Sequence, residues 1–296
     1  MDKLIHATAA DGTVRVISAV TTGIVAEAIR RHGTSPTVSA ALGRMLTGTL
    51  LLGSTIKEFD RLTAKIDCSG EVGGITAEAT KIGTVRGFVK NPIAEPPPKA
   101  NGKFDVSGIV GEGTFVVIRE AGFEIGFRPE PYVGSVPIVS GEIAEDFAYY
   151  LAKSEQIPSA VLLGVLLQNS EPFVAASGGV LIQMMPGAND HIVTMIEDTV
   201  SRAPHVTELV KEGAGPEDLA RVALGVIDFE VLDERPVSFQ CTCSLEKASG
   251  MIAALGEDEV RAMLAEDNGA VMNCGFCNET YKLTVADLEN LLETIG

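Results

Sequence analysis

Four of the five cysteines lie in the last fifth of the chain as two close pairs, Cys241-Thr-Cys243 and Cys274-Gly-Phe-Cys277, with thirty residues between them. Two such pairs joined by a foldable segment can converge on one tetrahedral Zn²⁺ with four thiolate ligands at Zn–S distances of about 2.3 Å. The plain alternative is four unrelated buried cysteines, which fits poorly with a chain whose only other cysteine is Cys68. The pairs differ chemically. Gly275 is expected to allow a tight turn that aims backbone N–H groups at the Cys274 and Cys277 sulfurs. Cys241 and Cys243 point to one side of an extended segment with Cα atoms about 6.5 Å apart, close to the limit for an unstrained disulfide.

Length and composition set the frame around this cluster. The 296 residues are 46% hydrophobic, enough for two or three units, of which the cysteine segment is the smallest. Forty acidic residues against 23 basic ones give a net charge of −17, which repels phosphate backbones and argues against nucleic acid as the main partner. Met1-Asp2-Lys3 and the alternating residues after it lack the pattern of a signal peptide. With reduced cysteines, the expected compartment is the cytoplasm. The longest apolar run, Val38 to Ile56, has Arg44 near its middle and glycines at 43, 48 and 53, so it reads as a buried core helix and not a membrane span. Ser35-Pro36 supplies its N-cap and first helical position.

The fold class expected is α+β: a core over residues 1–187 with a mixed or antiparallel sheet and helices, a helical linker over 188–235, and a small four-cysteine zinc domain over 236–296. Asp11-Gly12 joins two strand-like segments in a hairpin, and further strands are expected at 62–68, 74–79, 85–89, 114–119, 161–168 and 179–185. Ile143, Phe147, Tyr150 and Leu151 mark a second core helix, and Pro96-Pro97-Pro98 a stiff connector. From Asp190 to Asp228 short helices are broken at Pro204 and at 213–216, with Ile192 and Ile196, then Leu219, Val222, Ala223 and Val226, at helical intervals. Helices this short depend on packing, so the linker is a candidate for conditional order. In the last segment Ala248, Met251, Ile252 and Leu255 form one stripe, Val260, Met263 and Leu264 another, and Thr284 with Asp287 a capping box. Roughly sixty residues bury little core, so metal binding would supply much of this segment's folding energy.

Conventional catalytic patterns are absent from the sequence. Gly102-Lys103 is followed by Phe104, so there is no P-loop, and neither a GxSxG elbow nor an HExxH pair occurs. His6, His32, His191 and His205 are scattered and read as surface or packing residues, Cys68 as a small buried hydrophobe, and Glu257-Asp258-Glu259 as a helix start. What remains is a thiolate cluster beside a conditionally stable helical segment. Thiolates are both metal ligands and the species oxidants attack, so oxidation would release the metal and turn its loss into unfolding.

At these residues the sequence resembles the 33 kDa chaperonin family of redox-regulated heat-shock chaperones, also called heat-shock protein 33. The resemblance rests first on Cys241-Thr-Cys243 and Cys274-Gly-Phe-Cys277, then on Arg30-Arg31-His32-Gly33-Thr34, Ser140-Gly141-Glu142 through Tyr149-Tyr150 to Ser154-Glu155-Gln156, and Gln183-Met184-Met185-Pro186-Gly187. It implies an ATP-independent holdase, not an enzyme, whose reduced form holds one Zn²⁺ per chain and is inactive. It also implies disulfides Cys241 with Cys243 and Cys274 with Cys277 on oxidation, loss of zinc, linker unfolding, homodimerisation and capture of unfolding client proteins. No nucleotide, nucleic acid or membrane partner is implied. Ile192, Ile196, Leu219 and Val222 are the expected client-binding residues, and Cys68 matches no family cysteine. Two other readings stand beside this one: a zinc-ribbon nucleic-acid module, disfavoured by the acidic charge, and a thiol–disulfide oxidoreductase, whose reactive CxxC would open a helix instead of following the strand-like residues 270–272.

Overall fold

The computed structural model describes residues 1–57, 59–99, 102–120 and 130–295. The chain divides into two compact units, Met1–Gln240 and Cys241–Gly296.

The first unit opens with the expected hairpin, β1 (Lys3–Ala9) and β2 (Val14–Val20), joined by a short 3₁₀ turn. Two helices follow, α1 (Thr22–His32) and α2 (Pro36–Gly53). Next come β3 (Arg61–Cys68), β4 (Gly74–Thr80), β5 (Thr84–Val89), α3 (Val106–Val110), β6 (Gly113–Glu120), β7 (Tyr132–Pro137) and α4 (Ala144–Lys153). β8 (Ser159–Leu167) and β9 (Val174–Met184) complete the core, and α5 (Asp190–Arg202), α6 (Val206–Lys211), α7 (Pro216–Leu224), β10 (Phe229–Pro236) and β11 (Ser238–Phe239) end the unit. There are two sheets here where the sequence led us to expect one. The first is antiparallel in the order β10-β1-β2-β9-β8; the second, β11-β5-β4-β3-β6-β7, is antiparallel apart from the parallel β11–β5 pair.

Helix α2 packs against strands of both sheets. It is mostly apolar and buried on nearly every face, as befits a helix enclosed by protein. Ser35 caps it, its Oγ accepting from the Val38 N–H at 3.4 Å. The internal glycines serve close approach: a Cβ on Gly48 would lie 2.5 Å from the Phe147 ring, and one on Gly43 2.7 Å from Val165. Arg44, the charge that breaks up the apolar run, donates to Glu142 at 2.7 Å, and Lys99 reaches the same carboxylate at 2.6 Å. Among the described residues no helix is long and apolar enough to cross a membrane.

The first sheet is apolar on both faces, because alternate residues of its strands enter two separate clusters. Leu4, Ile17, Ala19 and Leu181 face the α2 side, whereas Ile5, Ala7, Val14, Val16, Val180 and Ile182 face the other way. That second face is covered by α5, α6 and α7 through Ile196, Val206, Leu219, Ala220, Ala223 and Leu224. The segment 188–235 therefore forms part of the same compact unit as the core. Its three helices and their breaks fall where the sequence places them, but its end differs: residues 229–236 form a strand, β10, along the free edge of β1. The alternating Phe-Glu-Val-Leu-Asp-Glu-Arg run suits a charged edge strand, which resists pairing with further chains. Residues 236–240, expected to open the zinc domain, stay with the first unit because Ser238 and Phe239 pair with Thr84 and Val85. Val226 falls beyond the end of α7 and is exposed, not part of its stripe.

Arg235 fastens β10 to both sheets. Its Nη1 donates to the Lys81 carbonyl at 2.6 Å and its Nη2 meets His6 Nε2 at 2.8 Å. A guanidinium cannot accept, so His6 must be the acceptor and therefore neutral. Burial, then the Arg235 charge, lower the His6 pKa from 6.5 to about 4. A folded-state pKa below the unfolded one gives a stabilisation that is complete above about pH 6.5 and lost as the pH falls towards 4. Amide exchange in β10, corrected for the intrinsic pH effect, is expected to accelerate across that window. His6→Gln, which keeps an acceptor but does not titrate, should flatten the dependence; an unchanged profile would remove His6 from this role.

Candidate metal centre

The second unit is small and thinly packed. It contains α8 (Leu245–Ala253), α9 (Glu257–Glu266), a hairpin of β12 (Ala270–Asn273) and β13 (Thr280–Leu283), and α10 (Val285–Ile295). Its apolar core comprises Ile252, Val260, Leu283 and Leu288. The expected stripe of α8 is only half used: Ala248 and Ile252 are buried, but Met251 and Leu255 are exposed. Thr284 and Asp287 form the capping box, with the Asp287 carboxylate accepting from the Thr284 N–H at 2.8 Å and hydroxyl at 2.7 Å.

All four paired cysteines converge, their sulfurs within 4.8 Å of one another. Cys241 Sγ lies 3.7 Å from Cys274 Sγ, and Cys243 Sγ lies 3.4 Å from Cys277 Sγ. Four ligands at about 2.3 Å around a tetrahedral ion would have sulfurs roughly 3.8 Å apart, so the donor set fits Zn²⁺ in size, number and softness. Cys68 belongs to the other unit, on β3, where burial raises its thiol pKa.

Local structure explains the convergence. Cys274 and Cys277 occupy the turn of the β12–β13 hairpin, where the Cys274 N–H donates to the Glu279 carbonyl and the Asn278 N–H to the Cys274 carbonyl, both at 2.8 Å. The left-handed residue of this turn is Asn278, at φ 57°, and not Gly275, as the sequence suggests. Asn tolerates that conformation better than other residues bearing a side chain, so the knuckle closes one position after the second cysteine. A backbone N–H does reach a sulfur, from Glu279 to Cys277. Cys241-Thr-Cys243 runs directly into α8, capped by Ser244. The Cys243 sulfur thus precedes a helix N-terminus, and Lys247 Nζ donates to the Thr242 carbonyl at 2.6 Å between the two cysteines. Both features favour negative charge on the sulfurs.

Tyr281 is the participant that spacing alone could not announce. From β13 its hydroxyl donates to Cys243 Sγ at 3.0 Å, bridging the two cysteine pairs. The bond to Cys243 is the main cause raising the phenol's pKa, so the hydroxyl remains a donor. Burial pushes the Cys277 and Cys243 thiols upward, and a cation bound among the sulfurs would favour their thiolate forms.

The other four residues singled out in the sequence lie in the first unit. Ile196 on α5 and Leu219 on α7 are each 1% exposed against the sheet. Ile192 packs at the edge of the same cluster, and Val222 lines a groove of about 440 Å³ with Met195, Thr199 and Pro204.

Comparison with known proteins matches residues 2–284 to the family described as Hsp33 protein. The chain belongs to the Hsp33 family. It is 45% identical over 293 residues to the 33 kDa chaperonin of Shouchella clausii, covering 99% of this chain and 97% of the relative. It is 44% identical over 292 residues to that of Bacillus subtilis, covering 98% of each. The crystal structure of the 33 kDa chaperonin (heat shock protein 33 homolog) from Thermotoga maritima superimposes with a TM-score of 0.88 at 34% identity, covering 99% of this chain and 98% of the other. Hsp33 proteins are redox-regulated chaperones and not enzymes, and the family binds zinc. Membership displaces the oxidoreductase and zinc-ribbon readings.

Removing the Tyr281 hydroxyl while keeping the ring is expected to weaken metal retention about tenfold, the lower end of what loss of a ligand-orienting hydrogen bond costs. Chelator competition on Tyr281→Phe measures it; retention equal to wild type would mean that the hydroxyl does not orient Cys243.

Proposed function

We propose that this chain is an ATP-independent holdase whose reduced form carries one Zn²⁺ held by Cys241, Cys243, Cys274 and Cys277. The observation that carries the reading is the convergence of four sulfurs within 4.8 Å in a unit whose apolar core is so small. Zn²⁺, when bound there, stabilises the four thiolates and contributes folding energy, about 10 to 16 kcal/mol in apparent terms for small thiolate sites.

The residues then act as a redox switch. Each peroxide takes two electrons from one pair of thiolates and two protons from solvent, leaving as two waters while one S–S bond forms in that pair. Bonds Cys241–Cys243 and Cys274–Cys277 follow the family pattern. Cys241 Sγ lies 3.7 Å from Cys274 Sγ and Cys243 Sγ 3.4 Å from Cys277 Sγ, and bonding within pairs would give up these cross-pair contacts. Such disulfides close loops of only a few residues and hardly restrict the unfolded chain. After oxidation neither metal nor long-range cross-link ties Cys241-Thr-Cys243 to the β12–β13 turn.

The linker completes the device. Only one residue, Gln240, separates β11 from Cys241, so unfolding of the zinc unit leaves the preceding segment anchored from one side. Release of α5 to α7 would bare Ile192, Ile196, Leu219 and Val222, together with the sheet face formed by Ile5, Val14, Val16, Val180 and Ile182 that they cover. Apolar area buried against a client contributes about 25 cal/mol per Å². The same bared surface supports homodimerisation of the active form. On this reading the resting protein works in the cytoplasm, where thiols are kept reduced.

Reduced protein is expected to contain one zinc per chain with four sulfur neighbours by X-ray absorption; a nitrogen or oxygen neighbour would sink the four-cysteine assignment. Cys274→Ser should lose metal retention strongly, and Cys68→Ser should not.

On oxidation, hydrogen exchange should show fast amides throughout Asp190–Asp228 and the zinc unit with protection kept in β3 to β5. Loss of protection everywhere would indicate global unfolding. Oxidised protein should hold a denatured client when ATP is added and release it only after reduction and zinc return; release coupled to ATP hydrolysis would refute the holdase reading.

A further inference from the structure

We propose that the first unit contains a binding site for a small organic carboxylate with an apolar body, separate from both the cysteine cluster and the linker-covered face. The site is a cleft of about 270 Å³ where the two sheets meet the C-terminal ends of α2 and α4. One wall is apolar, made by Leu52, Ile56, Phe59, Leu151 and Ile157; the polar lining includes Arg15, Lys57, Arg119, Gln183 and Glu155.

Charge selects the ligand. Among the described residues that line the cleft three are cationic and one is a carboxylate, in a chain whose net charge is −17. Glu155 is already engaged, accepting from Arg119 Nη2 at 2.8 Å and from the Tyr150 hydroxyl at 2.5 Å. Arg119 is further held over the Tyr132 ring at 5.5 Å, and its Nε is buried with no hydrogen-bond partner among the described residues. Among the described residues Arg15 donates to a neutral group, Gln183 Oε1 at 3.3 Å, and neither Arg15 nor Lys57 has an ion-pair partner. Two cations without a carboxylate partner among the described residues, together with the Arg119 guanidinium and the apolar residues of the same cleft, suit a carboxylate that accepts from arginine while its carbon body lies on Phe59 and the leucines. A bare phosphate would satisfy the cations but leave that wall wet. The volume admits a ligand on the order of ten non-hydrogen atoms at interior packing density.

The experiment uses the full-length, reduced, zinc-loaded protein, with 3-phenylpropionate, its neutral amide 3-phenylpropionamide, and inorganic phosphate as probes. Calorimetry and ligand-observed NMR are expected to show saturable one-to-one binding of the carboxylate. The amide should bind at least about tenfold more weakly, because it cannot make charge-assisted bonds to arginine, and phosphate more weakly than the carboxylate. Arg15→Gln and Lys57→Gln should each weaken the carboxylate several-fold and leave the amide unchanged. Arg119→Gln should abolish binding; since Arg119 also holds Glu155, the Arg15 and Lys57 variants decide the matter if that protein fails to fold. No saturation at millimolar carboxylate, equal affinity for acid and amide, tighter binding of phosphate, or wild-type affinity in both the Arg15 and Lys57 variants would each overturn the proposal.

Discussion

Four sulfur atoms held within one coordination sphere are what the second unit depends on. A cation among them would turn mutual repulsion of thiolates into attraction, and without it the half-buried Cys243 and the buried Cys277 favour the neutral thiol. The four core side chains Ile252, Val260, Leu283 and Leu288 contribute about 1.5 to 3 kcal/mol each at full burial. That is too little to order roughly sixty residues against their conformational entropy. Lys247, the α8 N-terminus and the Tyr281 hydroxyl are arranged for charged sulfur, so the surrounding structure serves the same state as the metal.

The first unit solves a different problem. A sheet with apolar residues on both faces needs a cover on each, and only one cover is well secured. On one side α2 lies between two sheets, with Gly43 and Gly48 letting it pack closely. On the other, three short helices provide the lid, held mostly by Ile196, Val206, Leu219 and Leu224 and returned to the sheet by β10. Local stability follows this asymmetry, since short helices with a single buried stripe open at lower free energy than a helix enclosed all round. On the proposed function, the apolar surface to be revealed lies under the less stable lid.

Much of this was legible in the sequence wherever the deciding interactions are local. The β1–β2 hairpin, the strands of the second sheet's centre, α2 with its Ser35-Pro36 start, the Thr284–Asp287 capping box and the cysteine pairs all carry their own signals. What escaped depends on distant partners. Helix α1 is rich in β-branched residues and has no side-chain cap from Thr21; its first N–H groups are satisfied instead by Asp2, which accepts from Gly23 and Ile24 at 3.0 and 2.7 Å. Strands β7 and β10 lie at sheet edges, where Gly134, Pro137 and the run of charges in 230–235 disguise them. Tyr281 reads as an ordinary strand aromatic until the hairpin brings it to Cys243. Likewise Gly275 is the obvious turn residue by type, and only the hairpin's hydrogen bonds show that Asn278 takes the left-handed position.

Energetics make the proposed coupling plausible in magnitude as well as in geometry. Moving a two-state element from 1:99 to 99:1 takes about 5.5 kcal/mol of differential interaction. Loss of four thiolate donors forfeits about 10 to 16 kcal/mol on the scale of small zinc sites. A fraction of that, transmitted through the short covalent connection from Cys241 to β11, suffices to release a marginal lid while the α2 core, whose packing does not involve the cysteines, stays folded. The chemistry also sets the direction of reversal. Disulfides within the close pairs impose almost no restraint on the rest of the unit, so nothing in the oxidised chain obstructs refolding once reduction restores the four sulfurs. Cross-pair disulfides would instead staple residues thirty-three and thirty-four positions apart and lock the unit shut. A switch that unfolds on oxidation is served by bonds between sequence neighbours, the pairing that the family resemblance implies.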